Sequence, residues 1–351
     1  RPAQEKSVKK GLLKSSLLSS KPFSRLEGAR LIKEALETYE QFGINNKQIN
    51  KILERLTKEF KEELKDKKAV ASIRPVGPAY LKYYYGSGDI SYPNANNNGY
   101  TFKEGSNLRA GFAIEARLLN TLSLYFEPEF RANKDISQAE ALYGYAILNL
   151  ANLEVEIGRD SMWWGSAYHG DLLMTNNAKP FDMVKITSQQ PFLLPWIFSY
   201  LGYIKPTWFL TELEEDRDYP KANLMGMRLD FKLTQRLQFG LSRVIMFGGK
   251  GRRSLTASDW VGILIASDSV EHSGSSIDGN QIVSIDASYA YHNKIDIIPF
   301  SGIKLYIEWG AEDSEGETHT PTGWANVCGI YIDAPFWLSG IDLRMEWANT
   351  A

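Results

Sequence analysis

The sequence predicts an all-β transmembrane antiparallel β-barrel, preceded by an α-helical segment. Three observations carry that expectation: the hydrophobic period falls from about 3.6 to about 2 near residue 79, the strands run to about ten residues with one charged and one apolar face, and short connections alternate with long ones.

The helical segment is residues 1–68. Ser24 and Glu27 have capping-box spacing just after Pro22. Ala29, Ile32, Leu36 and Tyr39 then recur every three or four residues and share one face. Gly43 is the expected stop, and Asn45 with Gln48 a second capping box. The next stripe is Ile49, Ile52, Leu53, Leu56, Phe60 and Leu64, with Lys58 and Glu62 paired at the helical spacing of four. These 68 residues hold 17 Lys+Arg and 10 Asp+Glu, a net of +7, whereas the remainder is −9. Opposite charges of that size suggest two parts in different surroundings. Two amphipathic helices cannot bury both stripes alone. A helical domain beside the strands, a plug on the barrel's periplasmic end and a basic helix on the membrane surface each supply the missing surface. A periplasmic plug or bundle over 1–68, with the barrel over 69–351, is the expected organisation.

The alternation is regular. Arg109, Gly111, Ala113, Glu115 and Arg117 oppose Ala110, Phe112, Ile114, Ala116 and Leu118. Arg228, Asp230, Lys232 and Thr234 oppose Met227, Leu229, Phe231 and Leu233. Lys304, Tyr306 and Glu308 oppose Ile303, Leu305, Ile307 and Trp309, and Asp342, Arg344 and Glu346 oppose Ile341, Leu343, Met345 and Trp347. A soluble sandwich would show the same alternation with its polar face in water. Strand length, and the density of both charge signs on one face, favour a lumen in which Arg and carboxylates pair.

Strands are expected near 79–87, 108–118, 122–132, 138–149, 153–159, 181–190, 197–211, 223–233, 237–247, 281–291, 295–310, 323–333 and 340–350. The connections 119–121, 150–152, 191–196, 234–236, 292–294 and 334–339 are short and assigned to the periplasm. The others, 88–107, 160–180, 212–222, 248–280 and 311–322, are longer, with 133–137 the exception. Within 248–280, the apolar stretch 258–266 reads as a short helix capped by Ser258. The count is about thirteen strands, the last running outward; a closed bacterial barrel has an even number and an open edge in lipid is costly, so further strands are expected after Ala351.

Composition narrows the chemistry. A net charge of −2 gives no pull toward nucleic acid, and the single cysteine, Cys328, allows no intrachain disulfide and no Cys-based metal site. His169, His272, His292 and His319 lack ligand spacing, and no nucleophile–base arrangement stands out. No cofactor, metal or enzymatic role is expected. Glu115, Glu154, Glu156, Asp230, Glu308 and Glu346 lie on charged faces among Arg and Lys. A structural network is a simpler account of them than a glycosidase pair. Arg159 is expected to pair with Glu154 or Glu156, and Arg228 and Arg344 belong to the same network.

The densest motif is Gly158-Arg159-Asp160-Ser161-Met162-Trp163-Trp164-Gly165, followed by Leu172-Leu173-Met174-Thr175-Asn176-Asn177-Ala178-Lys179-Pro180-Phe181. It resembles the pattern of the capsule assembly Wzi family, with Thr175 where the family carries Ser. The resemblance implies an eighteen-stranded outer-membrane barrel with helices at its periplasmic end, acting as a surface lectin for capsular or exported polysaccharide. About five strands would then lie outside the thirteen counted. Trp163 and Trp164 could stack on sugar rings, wedge the loop into the barrel mouth, or join the interfacial aromatic girdle. Asn176 and Asn177 could set a turn, since both tolerate left-handed backbone, or contact sugar hydroxyls. Gly248-Gly249-Lys250-Gly251-Arg252-Arg253 has the wrong spacing for a phosphate-binding loop. Its Lys250, Arg252 and Arg253 could meet an acidic polysaccharide or remain solvated. Glu212, Glu214, Glu215 and Asp216, and Glu312, Asp313, Glu315 and Glu317, are carboxylate-rich but lack the spacing of a defined cation loop. The expected partners are surface polysaccharide and outer-membrane lipid; the alternative is a diffusion channel or transporter.

Overall fold

Period-2 alternation becomes one large antiparallel sheet in the computed structural model, which describes residues 12–41, 47–64, 71–88, 96–119, 121–252, 254–265, 279–292, 300–314, 321–338 and 341–350. A short strand β1 (Ser20–Lys21) precedes the helices α1 (Arg25–Gln41), α2 (Lys47–Glu59) and α3 (Lys61–Leu64). The strands that follow are β2 (Ala71–Arg74), β3 (Ala79–Gly86), β4 (Gly105–Phe112), β5 (Ile114–Leu118), β6 (Leu122–Ala132), β7 (Ser137–Leu150), β8 (Leu153–Asp160) and β9 (Trp163–Trp164). Next come β10 (Phe181–Ser188), β11 (Phe192–Leu193), a 3-10 turn (Trp196–Leu201), β12 (Tyr203–Glu212), β13 (Asn223–Lys232), β14 (Leu237–Phe247) and the helix α4 (Ala257–Ile265). Strands β15 (Asn280–His292), β16 (Gly302–Ser314) and β17 (Pro321–Asp333), a second 3-10 turn (Pro335–Trp337) and β18 (Asp342–Thr350) complete the chain.

The sheet runs β3-β4-β6-β7-β8-β10-β12-β13-β14-β15-β16-β17-β18, with β5 also paired to β6, β2 paired to β5, and β11 beside β12. Among the described residues β3 and β18 are not paired with each other. The sheet is nevertheless rolled. The loop between β9 and β10 accepts a hydrogen bond from Asn98, just before β4, and gives the Tyr168 N–H to Glu346 on β18. One loop can reach both sides of a thirteen-strand path only if the sheet curls around it.

The two faces are inverted relative to a soluble protein. Arg109, Glu129, Glu154, Glu156, Lys185, Lys205, Arg228, Asp230, Asp286 and Glu308 are buried on the inner face. Phe126, Phe130, Ile157, Val184, Ile186, Leu241, Ile285, Leu305 and Trp309 are exposed on the outer one. Charged residues avoid interiors unless paired, and a contiguous exposed apolar belt needs an apolar surrounding. This is the discriminating observation between a membrane barrel and a soluble sandwich.

Several boundaries differ from expectation. The strand read at 108–118 is two strands broken at Ala113, because β4 pairs with β3 while β5 pairs with β2, and the Ala113 backbone bonds Gly77 and Pro78 between them. β2 itself carries too short a pattern to be read. The strand read at 197–211 starts at Tyr203, after the 3-10 turn; Gly202 has φ +71, and a Cβ there would lie 1.9 Å from the Lys232 carbonyl oxygen. The N-cap of α4 is Thr256, not Ser258: Thr256 N–H donates to Asp259 Oδ2 at 2.7 Å and Asp259 N–H returns to Thr256 Oγ1 at 3.4 Å. This helix lies on the outer face, burying Ile263 against Met225, Ile245 and Phe247.

At the other end of the chain Ser24 caps the helix as read, with Glu27 N–H on Ser24 Oγ at 3.3 Å, while the Glu27 carboxylate turns to Arg30. The expected stop at Gly43 and second box at Asn45 lie outside the described residues, and nothing is described of the Gln48 side chain. Ala29 and Ile32 pack on Leu56 and Phe60, and Leu31 and Ala35 on Ile49 and Leu53, so the two stripes cover each other. The third surface is the short-turn end of the sheet. Glu63 accepts Arg25 Nε at 2.5 Å and Arg117 Nη2 of β5 at 2.9 Å, and Gln238 Nε2 of β14 donates to the Ser16 carbonyl oxygen at 3.3 Å. Burial pushes the Glu63 carboxyl up, but the Arg25 and Arg117 guanidinium groups outweigh it and hold it below the usual carboxylate range. A lowered folded-state pKa gives stability that is full above the unfolded pKa and lost as pH falls through the folded one. Amide exchange in α1 and α3 is therefore expected to accelerate below about pH 4 before the strands respond, and Glu63→Gln to abolish that step.

Candidate functional site

The motif loop turns into the barrel instead of away from it. Gly158 has φ +131, and a Cβ there would stand 2.2 Å from the Gly144 carbonyl oxygen. From Asp160 the chain folds inward, and Trp163–Trp164 forms β9, antiparallel to Ser20–Lys21 of β1. Gly165 N–H extends the ribbon to Ser19 O at 2.7 Å. Loop and N-terminal segment thus meet inside the sheet.

Trp163 and Trp164 are 4% and 1% exposed. Trp164 stands edge-on to Phe209 of β12 among Met162, Met174 and Met183, and Lys21 Nζ lies 5.5 Å from the Trp163 ring. Gly226 on β13 makes the room, since a Cβ there would be 2.1 Å from Phe209 and 2.7 Å from Trp164. Neither indole presents a face to a sugar. The loop's inward turn carries both rings into the interior.

Carboxylates from the far strands hold the loop by its backbone. Glu308 Oε2 of β16 accepts Leu172 N–H at 3.1 Å, and Glu346 of β18 accepts Tyr168 N–H at 2.6 Å and His169 N–H at 3.1 Å. His169 Nδ1 lies 2.5 Å from the same carboxylate, and the Arg344 guanidinium sits between Tyr168 and Tyr331 at 4.3 and 4.4 Å from their centroids. Within the loop, Asp171 Oδ1 accepts Ala167 N–H at 2.9 Å. Burial, reinforced by the Glu308 charge, raises the Asp171 carboxyl well above its ordinary range.

Deeper in, Arg228 of β13 bridges Asp230 and Asp286, each at 2.7 Å, and donates to Ser242 Oγ at 2.6 Å. Asp230 also accepts Ser19 Oγ at 2.7 Å, which ties the N-terminal segment to this network. Lys185 Nζ reaches Glu156 at 2.6 Å, with the buried Glu154 two residues away on the same strand face. Arg109, Glu129 and Arg131 make a further buried network. Asp286, Lys185, Ser19 and Glu129 were missed by the sequence reading. Inward parity flagged the strands of Asp286, Lys185 and Glu129 but not Ser19, which lay in the segment read as helical, and only three-dimensional register identifies partners.

Arg159 departs from its expected pairing. Odd-numbered positions of β8 point outward while Glu154 and Glu156 point inward, so Arg159 pairs across the outer face with Asp182 of β10 at 2.5 Å. Asn176 and Asn177 occupy a turn, but the left-handed backbone belongs to Asn96 and Asn98 opposite them. Asn96 N–H donates to Asn177 Oδ1 at 2.6 Å, and Asn98 N–H to Asn176 O at 2.7 Å. Lys250 pairs with Glu215, and Arg252 covers the Tyr219 ring at 4.0 Å. The basic loop therefore meets the acidic loop 212–222 in one ion-paired surface. Arg253 lies outside the described residues. Among the described residues no group of three His, Cys or acidic side chains is placed to hold a metal ion.

A rolled antiparallel sheet with an apolar outside and an ion-paired, loop-filled inside defines the class: a β-barrel of the membrane type. The chain belongs to the capsule assembly protein Wzi family, whose sequence profile matches residues 91–351. A Klebsiella pneumoniae protein described as an uncharacterized 55.8 kDa protein in the cps region is 24% identical over 221 residues, or 61% of this chain and 39% of that protein. The match thus spans less than half of that relative. The solved structure of Wzi from Escherichia coli, described as an outer membrane protein involved in group 1 capsule assembly and a carbohydrate-binding β-barrel, superposes with a TM-score of 0.64 at 17% identity. It covers 96% of this chain and 71% of Wzi, and shows a shared fold. OmpT of Vibrio cholerae aligns with a TM-score of only 0.34 at 10% identity, over 80% of this chain and 89% of that one, too low to argue from.

Proposed function

We propose that the chain belongs to an outer-membrane surface protein that binds or organises capsular or exported polysaccharide without cleaving it. Membership of the capsule assembly family carries this reading. The interior supports it against a diffusion channel: inner-face charges pair across the lumen and the β1–β9 ribbon occupies the space between them. In this reading residues 1–68 cover the periplasmic end. The longer loops at the opposite end of the strands face the exterior.

The buried indoles leave sugar contact to the rim. Tyr168, His169, Asn177, Tyr219, Lys250 and Arg252 lie on that side with exposed or half-exposed side chains, and Arg253 belongs to the same loop. Tyr219 with Arg252 offers an aromatic face and a cation together, which suits an acidic sugar. Reconstituted full-length protein is expected to retain acidic surface polysaccharide and release no reducing ends from it. Tyr219→Ala and Arg252→Ala should each weaken a single contact by about 1 kcal/mol, roughly fivefold, an effect that repeats along a polymer would amplify. A well-folded parent that binds no surface glycan but conducts ions would replace this reading with the channel.

A further inference from the structure

Most of the short connections are polar, as Ala151-Asn152 and Thr234-Gln235-Arg236 illustrate, but two are not. Residues 189–204 and 334–341 contain no charged side chain. Both fold a 3-10 turn at the same end of the sheet, Trp196–Leu201 between β11 and β12 and Pro335–Trp337 between β17 and β18. Both also expose large apolar side chains: Trp196 is 89% and Tyr200 86% exposed, with Ile197 and Phe198 exposed beside them, and Phe336 is 71% exposed, with exposed Leu338 and Ile341 in the same connection. An apolar cluster of this size in water would be costly, and two at one end call for a common surrounding.

That surrounding is continuous with the apolar belt. Phe192, next to the first turn, borders an outward-facing groove of about 970 Å³ that continues over Pro206, Trp208, Leu229, Leu241 and Ile285. The groove is lined by the same face that meets the membrane. Aromatic residues at the ends of spanning segments favour the headgroup level, where an apolar ring body and a polar edge are both satisfied.

We infer that the turns 191–201 and 334–338 are two feet inserted into the phospholipid leaflet at the short-turn end, with an acyl chain lying along the groove above the first. The inference rests on the membrane-barrel reading, since it needs lipid on the outer face. It assigns the turns to lipid and not to a partner protein, because the apolar surface continues from the first turn into the belt, and the two arginines that line the groove, Arg228 and Arg243, are buried and present no charge at its surface.

The test is a set of labelled full-length variants in phosphatidylcholine vesicles. With Cys328→Ser as background, Phe198→Cys and Phe336→Cys carry an environment-sensitive dye, and Val184→Cys, mid-strand on the outer face, is the reference. Heat-modifiable migration in detergent gels confirms folding of each. Both turn labels should be quenched several-fold more by shallow lipid-borne nitroxide than by aqueous iodide, and Val184→Cys most by deep nitroxide. Turn labels that answer to iodide while Val184→Cys answers to lipid would overturn the feet and leave the barrel standing. A Val184→Cys label quenched by iodide would overturn the barrel reading first.

Discussion

Gly158→Ala is expected to cost about 2–6 kcal/mol of stability, the sum of a forced left-handed backbone and a steric overlap. The added methyl would stand 2.2 Å from the Gly144 carbonyl oxygen and 2.7 Å from Tyr145 Cα, both backbone atoms of the neighbouring strand β7. Neither can withdraw without breaking the β7–β8 ladder. The measurement is urea unfolding in lipid vesicles, followed by tryptophan fluorescence. Gly251→Ala supplies the control: its φ is +87, but no atom lies within 4 Å of the new methyl, so only the backbone term of about 1 kcal/mol is expected there. Equal losses at the two sites would show that β7 yields and that the overlap does not matter. Gly165→Ala should fall between them. The new methyl would meet the Asp171 carboxylate at 2.3 Å, a side chain that can move only by giving up the Ala167 N–H.

Arg228→Met is expected to destabilise by about 3–5 kcal/mol, the usual cost of stripping a buried ion pair of one partner. Its carboxylates, Asp230 and Asp286, are almost wholly buried. Arg228→Lys should not rescue, because one ammonium cannot reproduce the forked contact to two carboxylates and Ser242. Gly240 shows how closely the group is fitted, since a Cβ there would come within 2.2 Å of Asp286 and 2.3 Å of Arg228. Converting both aspartates to asparagine in the Met background should recover most of the loss. If Arg228→Met alone is neutral in urea unfolding, the network is solvated in the membrane-inserted protein and adds little.

The sequence held the faces of the strands because a period of two is a local property. Arg228 and Asp230 inward with Met227 and Leu229 outward could be read from eight residues, and the structure places them so. The cap at Ser24 was legible for the same reason. What could not be read was convergence. Nothing near Ser19 announces Asp230, which lies 211 residues away. Nothing near Trp163 announces that β1 will cover it. Arg159 was misassigned for a different reason: charge alone suggested a partner, whereas its odd position on β8 already excluded Glu154 and Glu156. The site candidates divide the same way. The asparagine turn is set by contacts within and beside its own loop, but the pairing of Lys250 with Glu215 joins loops whose charges, read separately, pointed to different ligands.

The ribbon of β1 and β9 also constrains the order of assembly. Ser16 and Ser19 bond Gln238 and Asp230 across separations of 222 and 211 residues, and Tyr168 bonds Glu346 across 178. Contacts between segments so far apart in sequence form late and slowly, because the intervening chain must first be gathered. The N-terminal segment cannot wait outside a finished cylinder, since its partners Asp230 and Gln238 are buried on the inner face of the wall. Filling and rolling must therefore proceed together, with the first residues of the chain held in place while strands hundreds of residues downstream close around them.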